Sequence, residues 1–297
     1  MNTEQPTARH PVVLSDRPEL WQQLHAWREL NQRIALVPTM GNLHAGHLSL
    51  VRLAQEQADR VIVSIFVNPT QFAPNEDFDN YPRTLEQDLQ RLASMDVDAV
   101  FAPLAASIYP FGLDHSLRLP APAQLSNILC GDSRPGHFDG VVTVVSRLFN
   151  LIQPNLAVFG EKDYQQLLIV ERLCHDMGYP IAIIRGPVIR ENDGLAMSSR
   201  NQYLDAEQRQ RAAALNQCLQ WIVTHATSGR LVSDLEQAAC QQLRERGLTP
   251  EYVSIRIAKD LRPVERLSQT LPPLRVLAAA GLGQTRLIDN LPLVVTD

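Results

Sequence analysis

What this chain has little of narrows its function before any motif is read. Its four cysteines, Cys130, Cys174, Cys218 and Cys240, are scattered and form no Cys-x-x-Cys pair. That spacing argues against a zinc ribbon or a disulfide framework and for reduced, structural thiols. No apolar run reaches the ~20 residues of a membrane span. The N-terminus is polar and proline-containing, without the apolar region of a signal peptide, so the expected compartment is the cytoplasm and no membrane partner is expected. Positive charge is not in excess. The net charge of −5 speaks against a nucleic-acid binder with a broad basic surface, while leaving room for a local basic pocket. No Gly-x-Ser-x-Gly elbow is present and Cys130 has no evident activating partner, so a covalent nucleophile is not expected. There is no internal repeat and no low-complexity segment, and residues 1–10 read as a loose tail.

What is there is an ordinary globular composition over 297 residues, enough for one large or two modest domains. Buried strands are expected at 34–37, 60–67, 98–102, 156–159 and 181–185, and helices at 18–30, 48–58, 84–95, 140–150 and 167–177. This alternation is the pattern of a doubly wound, Rossmann-like parallel sheet. From Asp205 onward the character changes to helices at 205–225 and 233–246 followed by strands at 251–257, 275–280 and 285–290. The expectation is therefore an α/β domain over 1–186 and a smaller α+β lid over 187–297, hinged near Gly186 to Ile189.

The chain is organised around Val37-Pro-Thr-Met-Gly-Asn-Leu-His-Ala-Gly-His-Leu-Ser-Leu-Val51. A strand ends here, a turn with Gly41 and Gly46 follows, and a helix begins, which together make a place for an anion at free backbone N–H groups. His44 and His47, three apart, could hold phosphate oxygens and stabilise charge as a phosphoanhydride breaks. Read alone, they could equally satisfy a polar turn. The four-residue histidine spacing and intervening glutamate of a zinc helix are absent.

Four later stretches carry further chemistry. The loop from Asn68 to Arg83 follows a strand, and Gln71 in it has both a donor and an acceptor with which to read a hydroxyl and a carboxylate on one small molecule. Asp88 sits in the next helix, where a solvated carboxylate is the plain expectation. Gly160-Glu-Lys-Asp-Tyr-Gln-Gln166 ends another strand. Gly160 permits close backbone approach, Lys162 supplies a compact charge for phosphates, and Asp163 could accept from ribose hydroxyls. Met197-Ser198-Ser199-Arg200 offers two hydroxyls and a guanidinium, which suit a triphosphate.

His-x-Gly-His after a first strand resembles the nucleotidyltransferase and class I aminoacyl-tRNA synthetase superfamily. Pro38-Thr-Met-Gly-x-Leu-His-x-Gly-His47 is similar to one family within it, the pantothenate synthetases (pantoate–β-alanine ligases). Further matches are Asn-Pro-x-Gln-Phe from Asn68, Arg-Pro-Gly-His-Phe-x-Gly-Val from Arg134, Phe-Gly-x-Lys-Asp-x-Gln-Gln from Phe159, Met-Ser-Ser-Arg at 197–200 and Gly-x-Thr-Arg-Leu-Ile-Asp-Asn ending at Asn290. Val188 stands where the family usually has threonine, and Gln87 where some relatives carry an acid. The resemblance implies ATP and Mg2+ as co-substrate and ion, and pantoate and β-alanine as substrates. It also implies a homodimer formed through the N-terminal domain. By resemblance, Pro38, Thr39, Met40, His47, Gly160, Lys162, Asp163, Ile189, Met197, Ser198, Ser199 and Arg200 bind ATP. Met40, Gln71 and Gln166 hold pantoate, with Asn68 shaping the pocket, and Asp88 approaches the magnesium–phosphate region. His44, His47, Lys162, Ser198, Ser199 and Arg200 carry the catalysis. His137 is expected to fix its loop and Gln165 to give structural support. Two other functions compete with this one: a nucleotidyltransferase for a phosphorylated acceptor, which would want basic groups in place of Gln71 and Gln166, and a non-catalytic nucleotide sensor.

Overall fold

The computed structural model describes residues 10–74 and 76–297, so the expected tail at 1–10 lies outside the described residues except for His10. The described chain forms two compact units. The first contains residues up to 123 together with Arg134–Gly160 and Ile169–Gly186. The second contains Gln124–Ser133, Glu161–Leu168 and Pro187–Asp297. The boundary at 186/187 read from the sequence thus divides the chain differently at two segments, and one of these holds Lys162, Asp163 and Gln166.

The first unit is built on a six-stranded parallel sheet: β1 (Val12–Leu14), β2 (Ile34–Thr39), β3 (Arg60–Ile65), β4 (Ala99–Phe101), β5 (Leu156–Gly160) and β6 (Ala182–Gly186). Their order across the sheet is β1-β4-β3-β2-β5-β6. The helices α1 (Arg17–Glu29), α2 (Ala45–Gln55) and α3 (Leu85–Ala93), the short α4 (Ala105–Ile108), and further on α7 (His137–Ile152), accompany it. Helix α1 starts where the sequence says it should. Asp16 caps it by accepting from the Glu19 N–H, Pro18 sits in the first turn, and Leu20, Leu24 and Trp27 are buried on one face. Ala35, Val37, Val61, Val63, Leu156 and Val158 of the central strands pack with Val51 and Ala54 of α2. Each large side chain so removed from water contributes about 1.5–3 kcal/mol. Strand β1 escapes sequence reading because it has only three residues and lies at the edge of the sheet, with Val12 and Val13 exposed.

The second unit has an antiparallel sheet in the order β7-β8-β9, from β7 (Thr249–Ile257), β8 (Leu274–Leu282) and β9 (Thr285–Leu293). It also holds most of the four-residue turn α5 (Ala123–Ser126), the four-residue turn α6 (Cys130–Ser133), the first residues of α8 (Tyr164–Asp176), and the helices α9 (Ala206–Ala212), α10 (Ala214–His225) and α11 (Val232–Glu245). The single helix expected over 205–225 is two helices: Ala213 ends one and starts the next while its own backbone stays helical, at φ −59° and ψ −21°. Leu219, Ile222, Leu235, Leu243, Val276 and Ala280 form a core of this unit's own.

Candidate active site

In the first unit β2 pairs with β3 on one side and with β5 on the other, and here the strand order reverses direction. Open parallel sheets bind ligands outside the carboxyl ends of the strands at such a switch point. The histidine turn leaves β2 at this edge, and Gly160 closes β5 at the same edge. Gly41 has φ +84°, and a Cβ there would sit 3.0 Å from Ile65 Cγ2 and 3.2 Å from Asp88 Oδ2, so the turn requires glycine. Asp88 is fully buried, and both carboxylate oxygens are used. Oδ2 accepts from the Asn42 N–H at 2.8 Å and from the Thr84 hydroxyl at 3.1 Å, while Oδ1 accepts from the Leu43 N–H at 2.8 Å.

His44 itself caps α2. Its Nδ1 accepts from the Gly46 N–H at 3.1 Å, and His47 Nδ1 accepts in turn from the His44 N–H at 3.3 Å. A ring whose Nδ1 accepts carries its proton on Nε2 when neutral. The capping pattern therefore makes both imidazoles Nε2–H donors, and the rings lie 4.1 Å apart between centroids. His44 is the cap residue and His47 lies in the first turn of the helix.

Gln71 closes a 3-10 turn, Pro69–Gln71. The buried Asn68 holds it. Asn68 Oδ1 accepts from the Tyr109 hydroxyl at 2.8 Å and from the Thr70 hydroxyl at 3.1 Å, which sets the orientation of the amide. Asn68 Nδ2 then donates to the Gly140 carbonyl and to Gln71 Oε1, each at 3.2 Å. The Gln71 acceptor is thus occupied from within, and its Nε2 lies 2.9 Å from Met40 Sδ. The turn is also held through its backbone: the Gln71 carbonyl accepts from Arg134 Nη2 at 3.3 Å and lies 2.7 Å from His137 Nδ1. Arg134 in turn grips Glu76 through two contacts of 2.5 and 2.6 Å. Burial pushes the Glu76 carboxyl up, but the hydrogen bonds and charge of Arg134 outweigh it and hold the group below the usual carboxylate range. Gly140 allows α7 to touch the turn, since a Cβ there would lie 2.2 Å from the Thr70 carbonyl oxygen.

In the second unit a 3-10 turn, Glu161–Asp163, carries Lys162, whose Nζ is 3.9 Å from Asp163 Oδ2. Asn290 of β9 donates from Nδ2 to the Glu161 and Lys162 carbonyls, at 2.9 Å each. Arg275 of β8 donates to Asn290 Oδ1 at 2.6 Å and to Glu161 Oε2 at 3.1 Å, and its guanidinium lies 3.8 Å from the centre of the Tyr164 ring. Asp289 pairs with Arg190 at 2.7 and 2.9 Å and accepts from Asn216 at 3.1 Å. Met197 donates its N–H to the Ile189 carbonyl at 2.9 Å, and Ser198 caps the turn Ser199–Tyr203 by accepting from the Arg200 N–H at 3.2 Å. The Gln165 amide is spent inside the unit, on the Leu125 and Ile128 carbonyls and the Cys130 N–H.

The family model for pantoate-beta-alanine ligase matches residues 12–292. The chain belongs to the pantoate–β-alanine ligase family. It is 50% identical over 269 residues to the pantothenate synthetase of Idiomarina loihiensis, covering 91% of this chain and 94% of that one. To the pantothenate synthetase of Chromohalobacter salexigens it is 50% identical over 280 residues, covering 94% and 98%. Among solved structures, the pantothenate synthetase of Thermus thermophilus matches with a TM-score of 0.87 at 39% identity, over 95% of this chain and 99% of that one. The Francisella tularensis pantoate-beta-alanine ligase, complexed with beta-gamma ATP and beta-alanine, matches with a TM-score of 0.78 at 35% identity, over 95% and 97%. The parallel sheet with a small antiparallel sheet after it is the ligase family's fold.

The first unit of this ligase-family chain brings Thr39, Met40, His44, His47, Gln71 and Gly160 to loops and strand ends of one sheet. The second holds Lys162, Asp163, Gln166, Ile189, Met197, Ser198, Ser199 and Arg200. Asp88, from the first unit, braces the histidine turn. Its oxygens accept from the histidine turn and its side chain is sealed from solvent. The sequence reading missed Tyr109, Arg275 and Asn290. The available signal for the last was the polar pair Asp289-Asn290 within β9 (Thr285–Leu293), both of them buried.

Proposed function

We propose that the protein condenses pantoate with β-alanine at the expense of ATP, by way of a pantoyl adenylate. Family membership supports the reaction. The observation that carries the site is the pair of Nε2–H donors fixed by the capping of α2, at the switch point of the parallel sheet. A pantoate carboxylate oxygen attacks the α-phosphorus of ATP, forming an oxygen–phosphorus bond and breaking the one to pyrophosphate. The β-alanine nitrogen then attacks the acyl carbon. A carbon–nitrogen bond forms, the acyl–oxygen bond to AMP breaks, and the amine proton leaves to solvent. With no covalent nucleophile, the protein's share is positioning and charge stabilisation.

In this reading His44 and His47 donate from Nε2 to phosphate oxygens where charge develops. Lys162, Ser198, Ser199 and Arg200 take the triphosphate, and Pro38, Thr39, Met40, Gly160, Asp163, Ile189 and Met197 receive the nucleotide. Gln71 presents its amide N–H2 to pantoate, since its oxygen is committed to Asn68, and Gln166 and Met40 complete the pantoate contacts. The described residues hold no cluster of three or more acidic, histidine or cysteine side chains suited to a metal. Together with the commitment of Asp88, this favours magnesium that travels on the ATP phosphates and their waters. We further take residues 1–186 as the ATP- and pantoate-binding domain, 187–297 as a lid, and the protein as a cytoplasmic homodimer joined through the first of these. The free thiols at Cys130, Cys174, Cys218 and Cys240 fit a reducing compartment.

The test is pyrophosphate release from ATP with pantoate present and β-alanine absent, then with β-alanine added. The expected result is one equivalent per site, followed by steady turnover to pantothenate and AMP. Folded protein that binds ATP yet gives no burst with pantoate would refute the reading.

A further inference from the structure

The proposed function gives Lys162 a contact with the triphosphate but leaves unexplained what holds Lys162. Turn Glu161–Asp163 has no side chain buried among the apolar core, and its ion pair to Asp163 is long, at 3.9 Å. A pair of that length, partly open to solvent, contributes little to order. The turn is held through its backbone, from a strand more than a hundred residues further along. Asn290 is 2% exposed, and its amide is used completely: two N–H bonds of 2.9 Å go to consecutive carbonyls of the turn, and the oxygen accepts from Arg275 at 2.6 Å. Arg275, 7% exposed, closes the circuit by reaching Glu161 Oε2 at 3.1 Å. The neighbour Asp289, 4% exposed, does the same for the next segment by pairing with Arg190, which donates to the Gly194 carbonyl at 3.0 Å in the loop leading to Met197 and Ser198. Two adjacent residues of β9, pointing to opposite faces of the strand as successive residues do, thereby serve the two basic elements assigned to the triphosphate.

We propose that Asn290 is a positioning residue for Lys162: its amide, oriented by Arg275, fixes the two carbonyls that frame the lysine and so sets where the ammonium meets the triphosphate. This rests on the assignment of Lys162 to ATP. It makes β9 part of the nucleotide machinery. It also explains why the turn 161–163 belongs to the same compact unit as 187–297.

Asn290→Asp is the informative variant. It keeps the shape and the acceptor for Arg275 but turns an oxygen toward two carbonyl oxygens. Asn290→Ser, neutral and too short to reach both carbonyls, serves if the aspartate variant does not fold. Each is made in the wild type and in Lys162→Ala. ATP affinity is measured by calorimetry, and KM for ATP and for pantoate are measured where turnover persists. Loss of two hydrogen bonds predicts about a tenfold weakening toward ATP, with KM for pantoate held within about twofold. In the Lys162→Ala background the same substitution has no further effect, because coupled residues do not add. An equal loss in both backgrounds would show a merely structural role, and wild-type affinity in both Asn290 variants would overturn the proposal outright. The assignment of Lys162 fails separately: Lys162→Ala that binds ATP as the wild type does would remove that assignment, and this inference with it. An impaired Lys162→Ala beside unimpaired Asn290 variants would remove only the inference.

Discussion

Histidine 44 does two jobs with one ring, and the two separate by substitution. Nδ1 caps α2, and Nε2 is the atom that the proposed reaction assigns to the phosphates. His44→Asn retains a good capping residue and loses the distal donor, whereas His44→Ala loses both. Both variants are expected to lose the pyrophosphate burst, but only the alanine variant should lose about 0.5–2 kcal/mol of stability as well. Urea unfolding of the two variants beside the burst assay checks this, and a burst that survives in His44→Asn would show that the ring is there only to cap. Glu76 gives a pH prediction. Its carboxyl is held below its ordinary value of 4.5 in the folded protein. Its pairing with Arg134 therefore contributes in full above that value and is lost as pH falls through the depressed folded value. The difference in unfolding free energy between the wild type and Glu76→Gln is expected to be about 1 kcal/mol at neutral pH, because the pair still touches solvent. It should shrink steadily in acid, and a difference that grows in acid would contradict the assignment.

Elements carry the next level of constraint. The 3-10 turn with Gln71 and helix α7 meet backbone to backbone at Gly140, where even a methyl group would come within 2.2 Å of the Thr70 carbonyl oxygen. Backbone cannot yield as a flexible side chain can, so Gly140→Ala must move the turn. The expected outcome is a rise in KM for pantoate of about tenfold or more, since displacement of a positioning contact by about 1 Å costs up to a hundredfold. KM for ATP should change far less. Equal changes in both constants would show that α7 supports the site only in general. Much of this element level could be read from sequence, because periodicity and caps are local. Helix α1 announces itself through Pro18, Glu19 and the face of Leu20, Leu24 and Trp27, while its Asp16 cap is seen only in the structure. The edge strand β1 does not, because three residues hold no period, and its pairing with β4 is a long-range fact.

At the scale of the whole molecule, each compact unit has its own apolar core and one deeply buried thiol. Burial pushes Cys174 in the first unit up to about 11 and Cys218 in the second up to about 12, so neither is nucleophilic at neutral pH. In the folded protein both are expected to resist alkylation. In rising denaturant each should become reactive when its own unit opens, and separate cores predict two distinct midpoints. Mass spectrometry of the labelled peptides distinguishes this from a single cooperative transition, which coincident midpoints would show.

By itself the sequence determined the parallel α/β class, the organising histidine turn and the family, because strand runs, glycine turns and motif strings are properties of neighbours along the chain. Tertiary structure decided what those residues are attached to. Asp88 reads as a solvated helix carboxylate until the fold buries it against the Asn42 and Leu43 amides. Tyr109 lies 41 residues from Asn68, the side chain that its hydroxyl meets. Asn290 lies 128 residues from the carbonyl of Lys162 that it holds. No local pattern encodes such a contact. It exists only because burial leaves polar groups no partner except one another.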